Sequence, residues 1–276
     1  MRTLVHLSDL HFGRADPEIL PPLLAAVHAA APDLVVISGD FTQRARVQEF
    51  KDAASFLAAL PQPQLLVPGN HDVPLYNFMR RWLAPLDRYR RYITDDLAPF
   101  HVDDEIAVLG INTARALTFK NGRINQAQLA VIPERLATLG PQVTRIIVTH
   151  HPFEPAAPLL GRSTGHVVVG RAGVAVAAFA DSKIDMILSG HLHLSRVGGT
   201  AERYPAHTRN ALLIQAGTAT STRQRGEVNA FNIVRIARPD SDVTSMVWDP
   251  ERRDFREGSV ERFTETAAGW ARRNPA

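Results

Sequence analysis

Six short apolar runs recur along the first two-thirds of the chain: Leu4 to Leu7, Asp33 to Ser38, Gln64 to Val67, Ile106 to Ile111, Arg145 to Thr149 and Ile184 to Ser189. They are rich in Val, Ile and Leu and nearly continuous rather than alternating, the pattern of strands covered on both faces. Helical stretches separate the first three. Pro21 to Ala31 opens on a proline and carries Leu23, Leu24 and Val27, and Gln48 to Leu60 carries Phe50, Ala53, Ala54, Phe56 and Leu57. Strand, helix, strand repeated in this way predicts right-handed crossovers and a mainly parallel sheet, which places the chain in the α/β class.

The residues just beyond the runs narrow the function. Ser8-Asp9-Leu10-His11 comes after the first, Gly39-Asp40 after the second, Gly69-Asn70-His71-Asp72 after the third, His150-His151-Pro152 after the fifth and Gly190-His191-Leu192-His193 after the sixth. In open α/β sheets ligands bind beyond the carboxyl ends of the strands, so a parallel sheet is expected to gather these groups at one edge. Asp9 and His11, two apart on extended backbone, are expected to point to the same side. The donors are nitrogen and oxygen, and the chain has no cysteine. That excludes disulfides, thiolate sites and cysteine nucleophiles, and it suits zinc, manganese or iron. Asp9, His11, Asp40, Asn70, His150, His191 and His193 are too many for one tetrahedral ion and suit two ions sharing a bridge. Two metals about 3.5–4 Å apart clamp the attacking and leaving oxygens of a phosphoryl displacement.

The order, spacing and strand-end placement of Asp9-x-His11, Gly39-Asp40, Gly69-Asn70-His71-Asp72, His150 and Gly190-His191-x-His193 resemble the calcineurin-like metallophosphoesterase superfamily over residues 4 to 193. Gly69-Asn70-His71-Asp72 and His150-His151-Pro152 are most similar to its bacterial branch of class III cyclic-nucleotide phosphodiesterases and glycerophosphodiesterases. The resemblance implies a four-layer αββα sandwich of two packed mixed sheets flanked by helices, the second sheet drawing on the β-rich C-terminal region. It implies one metal held by Asp9, His11, Asp40 and His193 and another by Asp40, Asn70, His150 and His191, bridged by Asp40 and a water or hydroxide. Asn70 would ligate through its carbonyl oxygen. By the same resemblance His71 is not a ligand but lies near the substrate, where it stabilises charge or protonates the leaving alkoxide. Asp72 would set its tautomer and ring direction. His151 is read as a support for the ligands or a residue facing substrate, or, given Pro152 after it, as a residue that only shapes the turn. Many relatives carry a second acid soon after Gly-Asp, where this chain reads Phe41-Thr42-Gln43-Arg44; that position is not a ligand in the family.

Two stretches match no family motif and are expected to decide the substrate. Residues 73–104 read as a cap-like helical insertion, with short helices at Tyr76 to Trp82 and Leu86 to Ile93. Phe153 to Gly173 reads as a substrate-facing loop carrying Arg162, Ser163, His166 and Arg171. Further helices are expected at Gln126 to Leu139 and Val174 to Ala180. After His193, strands are expected at Leu212 to Gly217, Asn229 to Ile236 and Val243 to Trp248, then a charged tail over 252–276 anchored by Phe255, Val260, Phe263 and Trp270. No repeat or linker interrupts residues 1–276, which are expected to form one domain.

The expected activity is hydrolysis of a small phosphodiester, such as a cyclic nucleotide or glycerophosphodiester, by in-line attack of a metal-bridging hydroxide. The alternatives are a nuclease or phosphomonoesterase of the same superfamily, or a binding module without activity; such modules usually lose ligands, and this chain has lost none. A nuclease needs a basic groove, for which Arg80, Arg81, Arg88, Arg90 and Arg91 are the candidates in a chain of net charge +3. No run of about 18 apolar residues is present to span a membrane, and Met1 to His6 lacks the features of a secretory leader. The expected location is therefore cytoplasmic.

Overall fold

The computed structural model describes residues 1–118, 121–154, 168–205, 209–222 and 227–273. In chain order the elements are β1 (Arg2–Leu7), α1 (Leu20–Ala29), β2 (Leu34–Ile37), α2 (Val47–Ala59), β3 (Gln64–Leu66), α3 (Phe78–Leu83), α4 (Asp87–Tyr92), β4 (Phe100–Val102), β5 (Ile106–Gly110), α5 (Gln126–Leu136), β6 (Thr144–Val148), α6 (Ala172–Asp181), β7 (Met186–Ser189), β8 (Arg196–Gly199), α7 (Thr200–Arg203), β9 (Leu212–Gln215), β10 (Ala230–Ala237), β11 (Asp240–Asp249), β12 (Asp254–Thr266) and β13 (Gly269–Arg272). A single 3₁₀ turn spans Asn70–Asp72.

The strands form two mixed sheets. One runs β13-β12-β11-β10-β1-β2-β3 and the other β4-β5-β6-β7-β9-β8. In the first, the parallel strands β1-β2-β3 form one end and β10 to β13 continue antiparallel from β1; in the second, the parallel strands β5-β6-β7-β9 are flanked by antiparallel β4 and β8. Residues alternate between the two faces of every central strand, and the core divides accordingly. Leu4, Leu34, Val36, Ile106, Val108, Ile146, Val148, Met186, Leu188, Leu212 and Ile214 fill one core between the sheets. Val5, Leu7, Val35 and Ile37 face outward onto Leu23 and Val27 of α1 and Phe50, Ala53 and Phe56 of α2. Ala107, Leu109, Ile147 and Ile187 face outward onto Leu129 and Ile132 of α5 and Ala175, Val176 and Phe179 of α6. The result is the four-layer αββα sandwich. Both faces of each central strand are buried, which is why the apolar runs are continuous; each such side chain contributes roughly 1.5–3 kcal/mol.

Strand and helix order alone predicts a mainly parallel sheet, and the structure has the two packed mixed sheets that the family resemblance implied. The first three apolar runs lie in one sheet and the next three in the other, because runs of this kind look the same whichever neighbour they pair with. The tail is also more ordered than its composition suggests. Asp254–Thr266 pairs antiparallel with β11, and Gly269–Arg272 with β12. Trp270 is buried and its Nε1 donates to Asp185 Oδ1 at 3.1 Å. β12 exposes most of its length to solvent, so its charges mask a strand. Arg162, Ser163 and His166 lie outside the described residues. Arg171 adopts a left-handed backbone (φ 68) just before α6. No helix among the described residues is long and apolar enough to cross a membrane.

Candidate metal centre

The carboxyl ends of β1, β2 and β3 meet those of β6 and β7 where the two sheets adjoin, so the polar residues beyond them converge from both. Hydrogen bonds tie the loops together across this junction. His150 Nδ1 donates to the Ser38 carbonyl at 2.8 Å, and the His191 backbone N–H donates to Asp9 Oδ2 at 2.8 Å. The loops approach so closely that glycine is required at two points. A Cβ on Gly190 would lie 1.7 Å from Ser8 Oγ, and one on Gly39, itself at φ +97, would lie 2.7 Å from His150 Nδ1.

Asp9 (φ 55), His11 (φ 48), Asp40 (φ 55), His191 (φ 74) and His193 (φ 59) all have left-handed backbone. This corrects the expectation that Asp9 and His11 share a side because the chain is extended there. The chain turns sharply after each strand, and the turn aims the side chains inward. Asp and His tolerate this region better than most residues, yet each such residue costs on the order of 1 kcal/mol. Strain of this kind, gathered at one point, marks a functional site.

All seven candidate ligands come together. His193 Nε2 is 3.1 Å and His11 Nε2 3.4 Å from Asp9 Oδ1, and the two ring nitrogens are 3.2 Å apart. On the other side, His150 Nε2 is 3.1 Å from Asn70 Oδ1 and 3.2 Å from His191 Nδ1. Asp40 Oδ2 stands between, 3.6 Å from His11 Nε2 and 3.3 Å from His150 Nε2. Ligands about 2.0–2.1 Å from an ion lie roughly 3.0–3.4 Å from one another, close to the spacing seen here. Asp9 Oδ1 is buried and has no hydrogen-bond donor, as expected of an atom that serves a cation. The donor set therefore fits metal.

The electrostatics agree. Burial opposes ionisation of Asp9, but His193 and His11 outweigh it and hold the carboxyl well below its usual range. Burial likewise opposes the charge on Asp40, and His150 and His71 overcome it. Burial lowers the pKa of His150, yet the charge and hydrogen bond of Asp40 prevail and raise it to about 9. With Nδ1 committed to Ser38, the proton on Nε2 faces Asp40, and a cation bound there must displace it.

His71 is only partly buried, its ring 4.9 Å from that of His11. Its Nδ1 donates to the Gln43 carbonyl at 2.8 Å. The partner expected for it, Asp72, is turned away. Asp72 accepts from the backbone N–H groups of Gly69 (2.9 Å), Thr42 (2.9 Å) and Phe41 (3.3 Å) and from Thr42 Oγ1 (3.0 Å). Its carboxylate thus ties the loop after β2 to the loop after β3, and it positions His71 only through that backbone. Burial and the charge of Asp40 push its pKa up to about 7 against those hydrogen bonds. Sequence reasoning misses the Gln43 carbonyl because a backbone acceptor leaves no signal in residue type. His151 is buried, with ring centroids 4.9 Å from His150 and 4.7 Å from His191 and Nδ1 2.7 Å from Thr113 Oγ1. His151 thus stands beside His150 and His191, the three offering donor atoms within 4.8 Å of one another. Thr113 lies beyond β5 at the same edge, where the sequence shows only an ordinary strand end.

Three of the five candidate groove arginines are committed elsewhere. Arg81 is buried on backbone carbonyls, Arg80 pairs with Asp87, and Arg88 donates to the Ala45 carbonyl at 2.6 Å.

An αββα sandwich with nitrogen and oxygen donors gathered at its strand ends has the architecture of a metallophosphoesterase. The chain belongs to the calcineurin-like phosphoesterase family, whose profile matches residues 2–195. It is 27% identical over 166 residues to a glycerophosphodiester phosphodiesterase of Enterobacter lignolyticus, covering 54% of this chain and 57% of that protein. It is 26% identical over 276 residues to a cAMP/cGMP dual specificity phosphodiesterase of Mycobacterium tuberculosis, covering 88% of this chain and 78% of that protein. A purple acid phosphatase from yellow lupin seeds shares the fold, with a TM-score of 0.65 at 10% identity over 94% of this chain and 53% of that one. The aligned region therefore spans little more than half of the Enterobacter and lupin proteins.

Proposed function

We propose that the protein is a phosphodiesterase working with two metal ions at this centre. Asp9, His11, Asp40 and His193 would hold one ion, and Asp40, Asn70, His150 and His191 the other. The observation that carries this reading is Asp40 Oδ2, 3.6 Å from His11 Nε2 and 3.3 Å from His150 Nε2, where two clusters of acceptors meet. Manganese, iron and zinc all suit such donors. Ions bound there supply Lewis-acid polarisation of the phosphate and an activated water.

The chain's own residues do the rest. His71 keeps Nδ1–H on the Gln43 carbonyl, so Nε2 is the atom that exchanges a proton. As imidazolium it protonates the leaving alkoxide and returns neutral, the role of a general acid. Asp72 holds the loop that carries His71. The two bacterial relatives are both phosphodiesterases, which supports small diesters such as cyclic nucleotides or glycerophosphodiesters as substrates. The commitment of Arg80, Arg81 and Arg88 weakens the nuclease alternative.

The test is hydrolysis of bis(p-nitrophenyl) phosphate beside p-nitrophenyl phosphate, with metal-stripped protein and manganese, iron or zinc restored. Metal-restored cleavage of the diester well above the monoester is expected. Preference for the monoester would make the protein a phosphatase. Equal activity with and without metal would overturn the reading.

A further inference from the structure

Helix α3 is built inside out. Its one buried side chain is Arg81, 4% exposed, whose guanidinium donates to the carbonyls of Pro74 (3.0 Å), Ala116 (2.6 Å) and Thr118 (2.7 Å). The apolar residues point the other way. Phe78, Met79, Trp82 and Leu83 are between 67% and 73% exposed, and Tyr76, just before the helix, is 69% exposed. Leu117, whose chain neighbours Ala116 and Thr118 accept from Arg81, is 81% exposed.

A helix facing water normally buries its apolar stripe. Here buried hydrogen bonds hold the stripe outward, so the exposure is built in rather than incidental. A contiguous patch of large apolar side chains rimmed by polar groups marks contact with something less polar than water. The rim is basic. Arg90 and Arg91 are exposed on the following helix, and Arg44 stacks on Tyr76 with its Cζ 4.9 Å from the ring centroid. Aromatic and aliphatic side chains enter the boundary between headgroups and acyl chains, and arginines at the edge meet anionic headgroups. A second copy of this chain fits the patch poorly, because a two-fold contact would set the same arginines against each other.

We propose that the patch formed by α3, Tyr76 and Leu117 seats the protein on an anionic lipid surface. The proposal is independent of the metal chemistry. Co-sedimentation of the full chain with phosphatidylcholine vesicles, with and without phosphatidylglycerol, tests it directly. Fluorescence provides a second readout, because Trp82 is exposed while Trp248 and Trp270 are buried. We expect partition onto the anionic vesicles that weakens with salt, and a blue shift of emission as Trp82 leaves water. Phe78→Ser combined with Trp82→Ser should lower the partition coefficient roughly tenfold or more with no loss of Tm. Absence of partition and of the shift would overturn the proposal, as would equal partition of the double variant. A dimer that this variant dissociates, with no vesicle binding, would assign the patch to a second copy instead.

Discussion

His150 donates its Nδ1 proton to the Ser38 carbonyl, 2.8 Å away in the other sheet, and so turns its Nε2 toward Asp40 Oδ2 at 3.3 Å. One hydrogen bond thereby joins the two halves of the fold and orients a candidate ligand. Asp40 stands between the two clusters, with His11 and His150 on either side, and Asp9 also groups with Asp40 and His150 within 4.8 Å. Asp40→Ala is expected to lose both ions and to reduce diester hydrolysis by roughly a thousandfold or more, since it removes the metal-assisted route. His11→Ala should weaken one ion and leave the other. Metal content by elemental analysis beside kcat separates the two outcomes, and full metal content in Asp40→Ala would refute the arrangement.

His71 stands with His11 and Asp40 in a group whose donor atoms lie within 4.8 Å of one another, and the proposed role gives it the leaving group rather than an ion. His71→Gln should keep the metal content and lower kcat by roughly 10²–10⁴, the usual worth of a general acid. The loss should shrink for substrates with an acidic leaving group, which departs without a proton. Equal loss for good and poor leaving groups would remove the general-acid role.

Asp72 makes its contribution through the loops. Removing it leaves three backbone N–H groups and the Thr42 hydroxyl without their acceptor. Unsatisfied buried donors cost about 1–3 kcal/mol each before relaxation. Asp72→Ala should therefore lower stability by at least about 2 kcal/mol in urea titration, whereas His71→Ala should barely change it. The opposite order of effects would restore Asp72 to a direct role at His71.

Acid stability should report His6. It is fully buried between the sheets, with Nε2 2.9 Å from Ser38 Oγ and Nδ1 unpartnered, and burial pushes its pKa down to about 3 from 6.5. Between those values the unfolded chain binds a proton that the folded chain does not. Stability is therefore complete above about pH 6.5 and falls by about 1.4 kcal/mol per pH unit below it. His6→Gln should lose about 2 kcal/mol less than wild type between pH 7 and pH 5 in matched urea titrations. Parallel losses in the two proteins would contradict this.

Asp185 anchors the opposite end of the molecule. It accepts from Arg209 Nη2 (2.7 Å), the Arg145 backbone N–H (2.9 Å) and Trp270 Nε1 (3.1 Å), and pairs with Arg238. Asp185→Ala should cost about 3–5 kcal/mol, the usual penalty for stripping a buried charge cluster of one partner. Metal content should be unaffected. Trp270→Phe should show the smaller loss of a single hydrogen bond, and calorimetry distinguishes the two.

The strands and the chemistry at their ends were legible in the residues themselves. Valine- and isoleucine-rich runs with both faces buried are local facts, and the Asp, Asn and His residues beyond them appear directly in the chain. The division of the strands between two sheets required the folded molecule, because an apolar run carries no mark of its neighbour. So did the left-handed turns that aim Asp9 and His11, the Gln43 carbonyl behind His71, and the turning of Asp72 toward Thr42. These are relations between segments about 30 residues apart or more (His71 and Gln43 are 28 apart), or backbone groups that residue type does not reveal. The inverted helix α3 obeys the same logic. Its composition suggested a cap, but which face turned outward depended on three carbonyls that only the folded chain brings to Arg81.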